Sequence, residues 1–160
     1  DDFCLNDTRV SSTSIRRALA QGDLVRASED LNRSYAISGR VIKGQGLGRQ
    51  WGIPTANIHL ARLSPALTGI FFVRVTRAKE DNTFYYGVAN LGTRPTVGGF
   101  LTVLEVHVFD FDGSLYHERL EVVFLCKLRT EQTFSSIEAL IAQIHLDISQ
   151  AKAMLSHFAV

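Results

Sequence analysis

The stretch from Leu101 to Leu128, LTVLEVHVFDFDGSLYHERLEVVFLCKL, decides the fold. Two runs dense in Val, Leu and Phe, LTVLEVHVFDF and LEVVFLCKL, flank a polar segment opened by the turn pair Asp112-Gly113. Side chains of these types fit a half-buried pleated surface, so both runs read as strands. In the first, period-two alternation turns Leu104, Val106 and Val108 to one face and Glu105 and His107 to the other.

Working outward, GIFFVRVTRA (69–78) and TFYYGVANL (83–91) have the same character, with turn signals at Asp81-Asn82 and from Gly92 to Gly99. YAISGRVIK (35–43) alternates more loosely and supplies an earlier strand. Closely spaced strands with no helix between them predict a mainly β fold, an antiparallel sheet closed into a barrel, because closure removes exposed edges. An OB-like or sandwich arrangement would give a similar pattern. The chain then ends in one long helix: Ser135 and Glu138 form a capping box, and Ile137, Leu140, Ile141, Ile144, Ile148, Ala151 and Leu155 make one apolar stripe. Near the start, VSSTSIRRALAQGD predicts a short helix from about Thr13 to Ala20, and DLVRASEDL a second. The domain boundary is expected near Asn32 to Ser34, which divides the chain into 1–33 and 34–160.

The 160 residues are 46% hydrophobic, enough for one ordinary core. Seventeen Lys and Arg against sixteen Asp and Glu leave a net charge of +1, so no global field gathers nucleic acid or acidic lipid. No apolar run reaches the ~18 residues of a membrane span and no signal-peptide pattern opens the chain, which predicts a cytoplasmic location. Cys4 and Cys126 match no metal-ligand spacing and are expected to be free thiols. Met154 is the sole methionine, so the chain is expected to be a fragment or processed product.

The segment GQGLGRQWGIPTAN (44–57) places four glycines in nine positions before a proline. A Walker A loop would need Lys-Ser or Lys-Thr after its last glycine, but Lys43 precedes the run. A dinucleotide fingerprint would need glycine where Arg49 or Trp51 stands. Pro54 also bars a helix starting immediately beyond it. One reading is a loop whose backbone N–H groups approach a phosphate between Lys43 and Arg49, with Thr55 and Asn57 as fixed oxygen donors for Mg2+ beside a nucleotide. The other is a plain connector whose Thr55 and Asn57 cap a turn.

Here the residues converge on a known family. GRVIKGQGLGRQWGIPTAN resembles the signature of riboflavin kinases, and GIFFVRV, GVANLGTRPTVGG, VLEVHVFDFDGSLY and LRTEQTFSSIEALIAQIHLD extend the likeness from about Ser38 to Ala151. The resemblance implies a Greek-key-like barrel of about six strands that transfers the γ-phosphoryl group of ATP to the ribityl 5′-hydroxyl of riboflavin, giving FMN. It implies that Lys43, Gly44, Gly46 and Gly48 cradle the ATP phosphates, that Thr55 binds Mg2+, and that Asn57 stands beside the phosphates and the reacting hydroxyl. Glu105 matches the family's catalytic glutamate; Arg129 and Phe134 match a loop over the isoalloxazine ring; GTRPTVGG is expected to be a mobile second loop.

The opening VSSTSIRRAL resembles the end of the adenylyltransferase module that precedes the kinase in bacterial bifunctional FAD synthetases, with Ser11, Ser12 and Arg16 matching phosphate contacts. None of the five histidines forms that module's HxGH motif, so adenylyl transfer is not expected of residues 1–33. A non-catalytic barrel that binds flavin or nucleotide is the competing reading. An OB-like nucleic-acid binder is disfavoured by the near-neutral charge.

Overall fold

Residues at alternate positions of six strands fill a closed barrel. The structure, a computed structural model, describes residues 3–5, 8–10, 17, 24, 35–60, 65, 67–80 and 83–158. After a short hairpin of β1 (Phe3–Leu5) and β2 (Thr8–Val10) come β3 (Ala36–Ile42), a helical turn α1 (Leu47–Gln50), β4 (Ala56–Ile58), β5 (Gly69–Arg77), β6 (Phe84–Thr96), β7 (Gly99–Val108), β8 (Arg119–Arg129) and the helix α2 (Ile137–Phe158). The barrel closes in the order β3-β4-β7-β6-β5-β8 with every pair antiparallel. The β4–β7 and β5–β8 neighbours join strands distant in sequence, which gives the Greek-key character.

The inward faces pack one core: Val41 on β3, Ile58 on β4, Phe71, Val73 and Val75 on β5, Leu91 on β6, Leu104 and Val106 on β7, and Val122 and Phe124 on β8. Phe71 and Phe124 meet edge-on at 5.2 Å between ring centroids, the arrangement their ring quadrupoles favour. Outside the barrel a second cluster joins Phe72 and Phe109 to Ala151 of α2, flanked by Ile148, Met154 and Leu155. The second half of the expected stripe, Ile148, Ala151 and Leu155, therefore seats α2 on the outer face of β5, β6 and β8, while Ile137 at its start is 58% exposed. Leu24, a single described position of the amino-terminal stretch, is buried in the barrel's own core cluster.

Four local readings are corrected. Strand β4 grows directly out of Pro54-Thr55; only three residues long, it was not anticipated from the sequence. Gly92 to Thr96 belongs to β6 instead of a separate loop, so β6 and β7 form one long hairpin that turns at Val97-Gly98. Thr, Arg and Thr hold the extended backbone there, and the ladder runs unbroken to Thr96↔Gly99. The cap of α2 is Ser136, whose Oγ accepts the Ala139 N–H at 3.1 Å, one residue later than expected; Glu138 still lies in the first turn, where its charge favours the helix dipole. Finally, β1 and β2 are strands where none was anticipated. Most residues of the two short amino-terminal helices, and the boundary near 32–34, lie outside the described residues; Arg17 and Leu24 are helical.

Candidate active site

The barrel's register lines up one row of outward-facing residues. Asn57 on β4 pairs with Glu105 on β7, Glu105 with Asn90 on β6, Asn90 with Ile70 on β5, and Ile70 with Arg129 on β8. Strands lie ~4.8 Å apart, so four steps extend the row over about 19 Å. All five residues line a cavity of about 270 Å³, roofed by Leu140, Ile144, Asp147 and Ile148 of α2. Three polar residues, Asn57, Glu105 and Asn90, are followed in the row by apolar Ile70 and cationic Arg129, and the roof is mostly apolar.

A second cavity, of about 460 Å³, opens on the far side of the glycine-rich loop. Gly44, Arg49 and Pro54 line it, opposite Phe111 to Tyr116 of the β7–β8 connection. Arg77 anchors the end of that connection through Glu118, with Nε to Oε1 at 2.7 Å and Nη2 to Oε2 at 2.8 Å. The hydrogen-bonded guanidinium holds the Glu118 carboxyl below the usual carboxylate range, so the clamp stays charged through that range and is lost only as pH falls through the lowered pKa beneath it. Gly46, Thr55 and Asn57 line both cavities, which makes this short segment the place where two bound molecules would meet.

Local backbone requirements explain the glycines. Gly46 caps α1 in the left-handed region at φ 73°, where a side chain is strained. A Cβ on Gly44 would fall on the amide of Asn57, so the missing side chain lets the loop lie against that group. No helix follows Pro54, which leads into β4, but α1 forms ahead of it, a single turn within the glycine run. His107 ties the loop's exit to β7: its Nδ1 donates to the Pro54 carbonyl at 2.8 Å.

Two ion pairs fix the two charged members of the row. Arg94 Nη2 lies 2.6 Å from Glu105 Oε1, in a half-exposed pair that orients the carboxylate. Arg129 donates to Asp147 from Nε at 2.9 Å and from Nη2 at 2.9 Å, Gln143 adds a third donor at 3.0 Å, and Asp147 is only 3% exposed. The Arg129 guanidinium also lies 5.7 Å from the Phe134 ring centroid. Glu131 sits against Gly92, and burial raises its carboxyl pKa despite the opposing pull of Arg129.

The structure thus gathers Gly44, Gly46, Gly48, Thr55, Asn57, Glu105 and Arg129 around the two cavities. Phe134 joins through its stack on Arg129 without lining either. Lys43 is exposed and lines neither, and Arg49 is the cation that faces the second cavity. Asn90, Arg94 and Asp147 were not anticipated. Asp147 had a readable signal, since it interrupts the apolar stripe three residues after Ile144. Among the described residues no group of three His, Cys, Asp or Glu could cage a metal. The hydroxyl of Thr55 and the amide oxygen of Asn57 instead suit Mg2+, which takes few protein oxygens and completes its shell with phosphate and water.

Sequence and structure comparisons bear on the family and the fold. The flavokinase (riboflavin kinase) family pattern matches residues 31–155. The bifunctional riboflavin kinase/FMN adenylyltransferase of Haemophilus influenzae is 47% identical over 154 residues, which is 96% of this chain and 49% of that protein. The chain thus spans about half the length of the curated relatives it matches. A solved structure from Streptococcus pneumoniae, named a macrolide-efflux protein, superposes with a TM-score of 0.79 at 30% identity, covering 91% of this chain and 47% of that one. No helix among the described residues is long and apolar enough to cross a membrane. The riboflavin kinase of Trypanosoma brucei shares the fold, with a TM-score of 0.53 at 24% identity over 76% of this chain and 79% of its own.

Proposed function

Because the chain belongs to the riboflavin kinase family, with the kinase domain over residues 31–155, we propose that it transfers the γ-phosphoryl group of ATP to the 5′-hydroxyl of riboflavin, yielding FMN and ADP. One observation carries the reading: two cavities meet at Thr55 and Asn57, and the next residue along the row is a carboxylate, Glu105. The larger cavity, beside the glycine loop and Arg49, takes the nucleotide. The smaller takes the flavin, with its ring between Ile70 and the apolar roof and its far end toward Arg129.

Phosphoryl transfer asks a protein mainly for alignment and charge stabilisation. The backbone of the loop around Gly44 and Gly46 approaches the phosphates, and Thr55 with Asn57 would hold Mg2+. That ion, when bound, neutralises charge on the transferring group. Glu105, oriented by Arg94, accepts the proton of the 5′-hydroxyl as its oxygen attacks phosphorus and the bond to the ADP oxygen breaks. Asn57, its cross-strand neighbour, keeps that hydroxyl beside the phosphate. His107 and Pro54 hold the loop's exit still.

The adenylyltransferase activity named in the longer relatives is assigned to the part of their length outside the match, and residues 1–33 to the end of that module. A cytoplasmic site of action, where ATP is at hand, fits the same reading. A flavin-binding barrel without catalysis would have no use for a carboxylate at the junction of the cavities.

Incubating the folded chain with riboflavin and MgATP should give FMN and ADP in equal amounts by chromatography. Flavin binding that is indifferent to ATP, with no FMN formed, would instead establish the non-catalytic barrel. Gly44→Ala should keep the fold yet lower turnover at least tenfold, because the added methyl displaces the Asn57 amide. Gly99→Ala at the hairpin turn, where a Cβ meets nothing within 4 Å, should match the parent.

A further inference from the structure

Asn90 is the middle residue of the row, and neither the family likeness nor the mechanism above gives it a task. It lines the flavin-side cavity, yet its Oδ1 is shielded from solvent and has no hydrogen-bond partner. An orphaned buried acceptor costs about 1–3 kcal/mol, and native proteins seldom keep one without a reason. The donors around it are committed elsewhere: Arg94 to Glu105, Arg129 to Asp147, and His107 Nδ1 to the Pro54 carbonyl. Its other neighbours in the cavity, Ile70 and Val88, have no side-chain donor. A donor at this point must therefore arrive with the ligand.

Position specifies which part of the ligand that is. Asn90 stands one strand, ~4.8 Å, from Glu105 and on the side away from Asn57. With the reacting hydroxyl at Glu105 and the ring over Ile70, the segment passing Asn90 is the polyol chain between them. We propose that Asn90 is a specificity-determining residue that accepts a hydrogen bond from one secondary hydroxyl of the ribityl chain, so that the cavity selects flavins bearing that hydroxyl. The proposal rests on the riboflavin reading above. A site built to pair with a hydroxyl discriminates against ligands that lack it, because its own polar group is then left unpaired.

The test compares the parent chain, Asn90→Val and Asn90→Thr; Val and Thr share a shape, and only Thr keeps an oxygen. Riboflavin and its analogues each lacking one secondary ribityl hydroxyl are titrated by quenching of flavin fluorescence, and KM values are measured alongside. Asn90→Val should weaken riboflavin binding about 10- to 100-fold and leave the KM for ATP unchanged, while Asn90→Thr stays within a few-fold of the parent. One deoxy analogue should bind the parent as weakly as riboflavin binds the Val variant, and lose nothing further in it. Equal affinity of the parent for riboflavin and every analogue would overturn the proposal without recourse to any variant. Equal losses for Val and Thr would overturn it too. Absence of FMN formation by the parent would instead remove the kinase reading, while the fluorescence titrations still report on Asn90.

Discussion

Glu105→Gln should lower kcat about 10²- to 10⁴-fold, the usual contribution of a positioned general base, and leave the KM for riboflavin within a few-fold. The glutamine keeps the shape and a hydrogen-bonding oxygen for Arg94 but takes up no proton. Steady-state kinetics with riboflavin and MgATP separates the two parameters, and unchanged kcat would remove Glu105 from the role. Arg94 acts through the carboxylate it orients at 2.6 Å. Its removal should therefore cost little in the Glu105→Gln background, since the two side chains form one unit.

Asp147→Ala should have the largest effect on stability. Asp147 is 3% exposed and takes Arg129 on both carboxylate oxygens, so its loss strands a guanidinium that is itself only 14% exposed. Breaking such a buried pair from one side costs about 3–5 kcal/mol, which in a chain of this size lowers Tm by on the order of 10 °C. Thermal melting by circular dichroism measures it. Asp147→Asn, which retains one acceptor oxygen, should lose less. Because Arg129 also ends the row, the Ala variant should bind flavin more weakly even at temperatures where it is folded. A melt unchanged to within 2 °C would show that the pair contributes little.

Where the sequence was legible, the cause was periodicity. Alternation through Leu104, Glu105, Val106 and His107 gave both the strand and the face on which Glu105 stands, and the structure repeats it with Leu104 and Val106 fully buried. The stripe of α2 was legible for the same reason through Ile148, Ala151 and Leu155, although Ile137 at its start stays exposed. Family likeness drew attention to Thr55 and Asn57, and the structure puts both where the two cavities meet. Legibility failed where a role depends on which strand lies alongside. Nothing in VANLG marks Asn90 until β7 places Glu105 opposite it, and Arg94 lies eleven residues from the carboxylate it pairs with. Lys43 shows the converse: it is next to the glycines in sequence, yet it is exposed and lines neither cavity.

The row from Asn57 to Arg129 has a consequence for how such a protein tolerates change. Each member comes from a different strand, so the ordering of functional groups is stored in pairing registers instead of in any contiguous segment. Inserting one residue in β7 ahead of Glu105 would rotate the carboxylate into the barrel interior and bring a leucine or valine out in its place. Closure leaves no free edge at which such a slip can be absorbed. Length changes at the Val97-Gly98 turn, beyond the last paired rung, leave every register intact. Turnover in this barrel is therefore also a readout of correct assembly: a chain that phosphorylates its acceptor has brought β4, β7, β6, β5 and β8 into alignment at one level.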